Sequence, residues 1–129
     1  MRPNEVSYRV IGAAMAVHSA LGAGLLESVY DKCLRQEFKR IGLQFRHQVR
    51  LGVNHAGVII SPGYTIDFIV ESCLVVEVKS VERVLPVHSA QILTYLKLTG
   101  LPLGLILNFK VPHMRDGVSR FINAPECEL

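Results

Sequence analysis

Two periodicities divide the chain. Residues 4–20 carry Val6, Val10, Ile11, Ala14 and Val17 at helical spacing, with Asn4 as the expected cap. The stretch LGAGLLE (21–27) breaks that helix and restarts it. Leu26, Val29, Tyr30, Cys33, Leu34, Phe38 and Ile41 then continue at i, i+3, i+4 spacing until Gly42 supplies a stop. Beyond Gly42 the period drops to two. FRHQVRLGV (45–53) alternates through Val49, Leu51 and Val53, as a strand with one wet face does. HAG (55–57) reads as a turn, residues 58–60 and 64–70 as an extended stretch interrupted by SPG, and 73–79 as a third strand. Pro86 suits the first turn of a helix over about 87–99 closed by Gly100, and LGLILNF (103–109) is a continuous apolar run typical of a central strand. A short strand near 118–122 and a fraying ECEL tail complete the chain. The order helix, helix, three strands, helix, strand predicts an α/β (α+β) fold: a mixed sheet with helices packed on it.

Inside YTIDFIVESCLVVEVKS (64–80) the apolar pattern is broken by Asp67, Glu77 and Lys79. Strand alternation points Glu77 and Lys79 to one face and Val76 and Val78 to the other. In an antiparallel pair the midpoint between residues 67 and 77 is Ser72. An odd-length loop such as Glu71-Ser72-Cys73 sets Asp67 opposite Glu77, with α-carbons about 4.5–5.5 Å apart. A two-residue loop would put them on opposite faces, and no glycine marks the loop, so only the charges favour the odd register. Two carboxylates so placed repel unless a positive charge lies between them. Lys79 supplies one. With Glu27 also turned inward, two negative charges remain, which matches a divalent cation held by oxygen, Mg²⁺ or Mn²⁺ rather than Zn²⁺. The plainer alternative is a structural ion pair between Lys79 and one carboxylate on the solvent face of the sheet.

Composition narrows the class. The 129 residues are expected to form one domain, 1–129, burying roughly two-thirds of the unfolded surface. Half the residues are apolar and 19% charged, which describes a folded globular chain. The net charge of +3 is unevenly spread: Lys32, Arg35, Lys39, Arg40, Arg46 and Arg50 face the single acid Glu37. That run reads either as a solvated helix face entering a loop or as a patch that attracts phosphates. Cys33, Cys73 and Cys127 form no CxxC pair, which argues against a disulfide framework or a zinc ribbon and fits a reducing cytoplasm. VIGAAMAVHSALGAGLL (10–26) follows Arg2 and Arg9 as a signal peptide would, yet it holds His18 and Ser19 and is shorter than the ~20 residues a span needs. A soluble cytoplasmic protein without membrane contact is expected. No Walker loop, dinucleotide fingerprint, HExxH or nucleophile elbow occurs. His47, His55 and His113 lack metal-ligand spacing and are expected at the surface, and His18 is expected to be a hydrogen-bonded structural histidine.

Asp67, followed ten residues later by Glu77-Val78-Lys79, resembles the D…ExK signature of the PD-(D/E)XK nuclease superfamily. Nearly the whole chain, about residues 5–123, is similar to the GxxExxY family assigned to that superfamily. GLLESVY (24–30) matches the naming motif with Gly24, Glu27 and Tyr30. VH (17–18), ID (66–67), VEVKSVERVLPVHSAQILTYLKLTG (76–100) and GLILNF (104–109) follow in order. Two positions depart from the family pattern: GAG replaces the usual GPG, and the acid after Tyr30 is Asp31. The resemblance implies a restriction-endonuclease-like core with a three-stranded antiparallel portion, a crossover helix and a further strand. It implies that Asp67, Glu77 and the Val78 carbonyl bind the metal, that Lys79 orients the attacking water, and that Glu27 completes the site directly or through a water. Gln91 would be an accessory catalytic residue with Tyr95 nearby on the same helix face. By its own spacing, three residues before Gln91, His88 is a candidate to face the same cleft and touch a phosphate. The activity implied is metal-dependent hydrolysis of nucleic acid, DNA being the expected partner, with a homodimer compatible with so small a domain. The rival reading is a non-catalytic nucleic-acid-binding or oligomeric interaction module on the same fold.

Overall fold

The structure, a computed structural model, describes residues 1–129, the side chain of Pro62 excepted. Helices α1 (Pro3–Leu21) and α2 (Glu27–Arg40) precede a hairpin of β1 (Phe45–His55) and β2 (Val58–Val70) and then strand β3 (Leu74–Lys79). The crossover helix α3 (Pro86–Thr99), strand β4 (Leu103–Asn108), a 3-10 turn at Met114–Gly117 and strand β5 (Val118–Ile122) follow. The strands form one five-stranded sheet in chain order, antiparallel except for the parallel β3–β4 pair that α3 connects. This is the expected mixed sheet. Among the described residues no helix is long and apolar enough to cross a membrane.

Both faces of the sheet are covered. Val6, Val10 and Val17 of α1 and Tyr30, Leu34 and Phe38 of α2 pack on Phe68, Val76, Leu105 and Leu107. On the other face Ile92, Tyr95 and Leu96 of α3 pack on Ile66, Val75 and Ile106. Strands β3 and β4 are therefore buried on both sides, which is why their apolar runs do not alternate. Each fully buried Val, Leu or Ile there stabilises the fold by about 1.5–3 kcal/mol.

Several boundaries differ from expectation for local reasons. Arg2, not Asn4, caps α1, because Pro3 fits the first helical position. The Asn4 N–H instead bonds the Leu129 carbonyl at 2.9 Å, and Leu129 is buried, so the tail expected to fray is docked. On α2 only Tyr30, Leu34 and Phe38 are buried, while Leu26 and Val29 are exposed; the stripe is narrower than its apolar positions suggest. Strand β2 is not interrupted at Ser61-Pro62-Gly63. The pairing passes from Leu51↔Tyr64 to Val53↔Ile60, so residues 61–63 lie opposite Gly52 alone, as a bulge that keeps the strand continuous. A β-carbon on Gly63 would stand 2.8 Å from the Val53 side chain, so only glycine fits that approach.

A second irregularity shapes the site. Phe68 packs under α1 and α2, whereas Ile66, two residues earlier, packs under α3. Regular alternation would put both on one face. The strand turns over at Asp67, opposite Gln48, whose φ of 54° lies in the left-handed region. Strand β3 pairs with β2 only through Phe68–Val70, so beyond Asp67 the β1–β2 hairpin continues as a two-stranded arm.

Candidate active site

The loop Glu71-Ser72-Cys73 decides the register. Glu71 and Ser72 adopt φ of 50° and 53°, and the Cys73 N–H closes the turn on the Val70 carbonyl at 3.1 Å. Glu71 is braced by Gln44, whose carbonyl takes the Glu71 N–H at 2.9 Å and whose N–H donates to the Glu71 carboxylate at 3.0 Å. The resulting pairs Val70↔Leu74, Ile69↔Val75 and Phe68↔Val76 place Asp67 across from Glu77, as the charge pattern requires.

There the ladder ends and side chains take over its hydrogen bonds. The Asp67 N–H donates to Glu77 Oε1 at 3.3 Å, and Asp67 Oδ2 accepts the Val78 N–H at 2.8 Å. Within a strand the N–H and C=O of one residue point to the same neighbour, so the Val78 carbonyl also faces the gap beside Asp67. Glu77 is 5% exposed. Burial first, and the Asp67 carboxylate second, push its acid from an ordinary 4.5 up to about 9. Lys79 is two residues on and partly buried, and its charge opposes that rise only weakly. Among the described residues Lys79 forms no salt bridge, so the structural ion pair considered above is not made.

The other expected residues are distributed less simply. Glu27, the first residue of α2, is exposed and lines a cleft of about 350 Å³ with Asp67 and Val78. It does not close on both carboxylates: among the described residues no three His, Cys, Asp or Glu side chains are grouped to hold a metal ion. The inward Glu27 needed for a net charge of minus two is thus absent from this arrangement. Two carboxylates and a carbonyl, all hard oxygen donors, could still hold a divalent cation that keeps several waters. Tyr95 lies on the Glu77 face of the sheet, its hydroxyl donating to the Thr65 carbonyl at 3.4 Å and its ring edge-on to Tyr64 at 5.5 Å. Burial, then Glu77 and Asp67, raise its acid dissociation well above the usual range. Gln91, half-buried one turn earlier on α3, is in no hydrogen bond among the described residues. His88 uses one ring nitrogen in the fold: its Nδ1 accepts the Leu85 N–H at 3.0 Å and caps α3.

The basic run does not form one patch. Lys32 and Arg35 line the Asp67 cleft, whereas Arg46 and Arg50 line a separate depression of about 270 Å³ with Val49, Ile69 and Thr99. Lys39 is exposed on α2, and Arg40 is tied to Glu37, its Nε 3.1 Å from Oε1. The turn from α2 into β1 carries the run around the edge of the sheet.

Two contributors escaped the reading of the sequence, His47 and Asn108, while Tyr30, expected on the apolar stripe, also shapes the site. His47, expected at the surface, is partly buried in the cleft, with Nε2 2.8 Å from Asp31 Oδ1 and its ring 5.0 Å from Phe68. Asn108 is 3% exposed and staples the segment after Lys79: Oδ1 accepts the Val81 N–H at 3.1 Å and Nδ2 donates to the Val81 carbonyl at 2.9 Å. Tyr30 stacks on Phe109 at 4.3 Å while its hydroxyl donates to the Gly22 carbonyl and accepts the Leu25 N–H at 3.2 Å, shaping the turn before Glu27. An Asn ending an apolar strand was the one available signal. A larger hollow of about 600 Å³, lined by His18, His113 and Arg115 among others, shares no residue with this cleft, and His18 is spent on the Val111 carbonyl at 2.8 Å.

No curated protein and no solved structure matches the chain. A family model, described as the PD-(D/E)XK nuclease superfamily, matches residues 4–121. That span covers the helices and strands of the sandwich, all but the first residue of α1 and the last of β5, and includes the Asp67, Glu77-Val78-Lys79 constellation, and the chain belongs to the PD-(D/E)XK nuclease superfamily.

Proposed function

We propose that this protein is a divalent-metal-dependent nuclease of the GxxExxY type that hydrolyses phosphodiester bonds of DNA. The carrying observation is the crosswise pair Asp67 and Glu77 at the fork of β2 and β3, with the Val78 carbonyl and Lys79 beside it. The donors suit Mg²⁺ or Mn²⁺, and the buried, uncompensated Glu77 carboxyl is a group that a cation would relieve. When bound, such an ion supplies a water of lowered pKa and offsets charge on a phosphate oxygen. Asp67, Glu77 and the Val78 carbonyl would hold it, with Glu27 reached through a water across the cleft.

Lys79 would hold the attacking water in line with the scissile phosphorus and offset charge as the pentacoordinate phosphate forms. The water gives up a proton to solvent as its oxygen bonds to phosphorus, the opposite P–O bond breaks, and the departing alkoxide takes up a proton from solvent. Gln91 and Tyr95 would steady the strand on the α3 side, and Tyr95 would remain a neutral hydrogen-bond donor, as its raised dissociation requires. His88 caps α3 through Nδ1, which leaves Nε2 as the donor it would offer to a phosphate.

The deciding experiment is calorimetric titration of Mg²⁺ and Mn²⁺ into wild type and Glu77→Ala, with a DNA cleavage assay on both. Binding and cleavage lost together support the reading. Binding without cleavage of DNA removes the substrate assignment, and absence of binding in folded protein removes the metal. The separation of Glu27 from the pair favours one rival, a binding module that kept the fold without catalysis. That rival predicts nucleic-acid binding indifferent to Asp67→Ala.

A further inference from the structure

The cleft that holds Asp67 has two halves of opposite charge. Its inner half presents Glu27 and Asp67. Its outer half presents Lys32 and Arg35 from α2 and His47 from β1, arranged around one carboxylate, Asp31. Glu27, Asp31 and Arg35 recur every four residues and so form a single stripe along the helix. The Asp31 side chain is 14% exposed, and its Oδ1 lies 2.8 Å from His47 Nε2 and 3.3 Å from Arg35 Nε. An ionised carboxylate only accepts, so Nε2 carries the proton on His47.

Arg35 is held in an unusual way. Its Nε is buried and is not in hydrogen-bond geometry with any described group, although it lies beside Asp31. Among the described residues its terminal nitrogens make no hydrogen bond, which leaves the planar fork to a second acceptor. His47 is fixed on its other side by the Phe68 ring. Arg35 and His47 lie against one carboxylate with Lys32 adjacent, so the two cations outnumber the single acid and the outer half of the cleft attracts an anion rather than a cation.

We infer that this outer half is a second phosphate subsite, in which the Arg35 fork grips the backbone of the nucleic-acid strand away from the bond that is cut, and Asp31, itself held by His47, positions the guanidinium. The inference rests on the nuclease reading and extends it. Eight residues of helix separate Glu27 from Arg35, about 12 Å along the axis. For a duplex whose axis follows α2, with one phosphate per ~3.4 Å on each strand, Arg35 meets a phosphate about three to four nucleotides from the one beside Glu27. The contact is to phosphate, so it sets register and affinity without reading bases.

The test uses the whole protein in EDTA, which separates binding from turnover, and a fluorescein-labelled 12-nucleotide DNA strand and its duplex titrated across salt. Arg35→Ala should weaken binding roughly tenfold and lower the salt slope by about one, and His47→Ala, which releases Asp31, should weaken binding by a smaller factor, about threefold, at an unchanged slope. Arg35→Lys should keep the slope but bind several-fold more weakly, because the charge stays and the fork is lost. Lys97→Ala, on the exposed last turn of α3, makes the same change in net charge and should bind as wild type. Melting temperatures of all variants confirm folding. Wild-type affinity and slope in Arg35→Ala overturn the subsite, and a parallel Mg²⁺ cleavage assay that stays active shows that the nuclease reading survives. Wild-type protein that neither binds nor cleaves overturns both.

Discussion

Asp67 and Glu77 hold one another crosswise at the point where two strands part: the backbone N–H of Asp67 donates to the Glu77 carboxyl, and the Asp67 carboxylate takes the N–H of the residue after Glu77. Each carboxyl therefore replaces a rung of the ladder. The arrangement satisfies backbone donors and keeps two acids together in a place where one of them is almost wholly buried.

The pH dependence follows from that burial. Glu77 dissociates near 9 in the folded chain, above its ordinary 4.5. The folded state thus binds more protons than the unfolded state between those values, and stability falls as pH rises through that window. Glu77→Gln removes the effect and should stabilise the protein by about 1–3 kcal/mol at pH 8 while abolishing metal binding. Chemical denaturation at pH 5 and pH 8 checks this; equal gains at both would contradict the assignment. Metal binding near pH 7.5 should also release a proton, seen as calorimetric heats that vary with buffer ionisation enthalpy.

Lys79→Ala should abolish cleavage and leave metal affinity intact. Without a salt bridge to lose, its stability should change by less than about 1 kcal/mol. Marked destabilisation with normal turnover would instead make Lys79 a structural residue.

Asn108→Ala leaves the Val81 N–H and carbonyl without their partner inside the fold and should cost about 2–3 kcal/mol. Because the staple holds the segment directly after Lys79, cleavage should fall beyond what the unfolded fraction explains. Thermal melting together with activity per folded molecule separates the two effects.

Tyr30→Phe deletes the hydroxyl that joins the Gly22 carbonyl to the Leu25 N–H. The ring stacking on Phe109 persists, so the expected cost is small, about 1 kcal/mol. Glu27 should lose its fixed approach to the cleft, and activity should drop more than stability. Unchanged turnover would show that the turn does not position Glu27.

What the chain determines by itself is local. Helical spacing marks α1 and α2, Gly42 with φ of 78° stops the second, Pro86 and Gly100 bracket α3, and unbroken apolar runs mark the buried central strands. The parity of positions 67 and 77 about Ser72 allows them to be partners, and the left-handed loop residues Glu71 and Ser72 realise that register. Tertiary structure decided the rest. The left-handed Gln48 turns β1 and β2 over, sending Phe68 and Ile66 to opposite cores, which no alternation rule foresees. Folding around the sheet edge divides a continuous basic run between two depressions, draws His47 onto Asp31, and leaves Glu27 apart from the carboxylate pair. These relations join residues far apart in sequence through packing, and side-chain periodicity records the face of an element but not what that face meets.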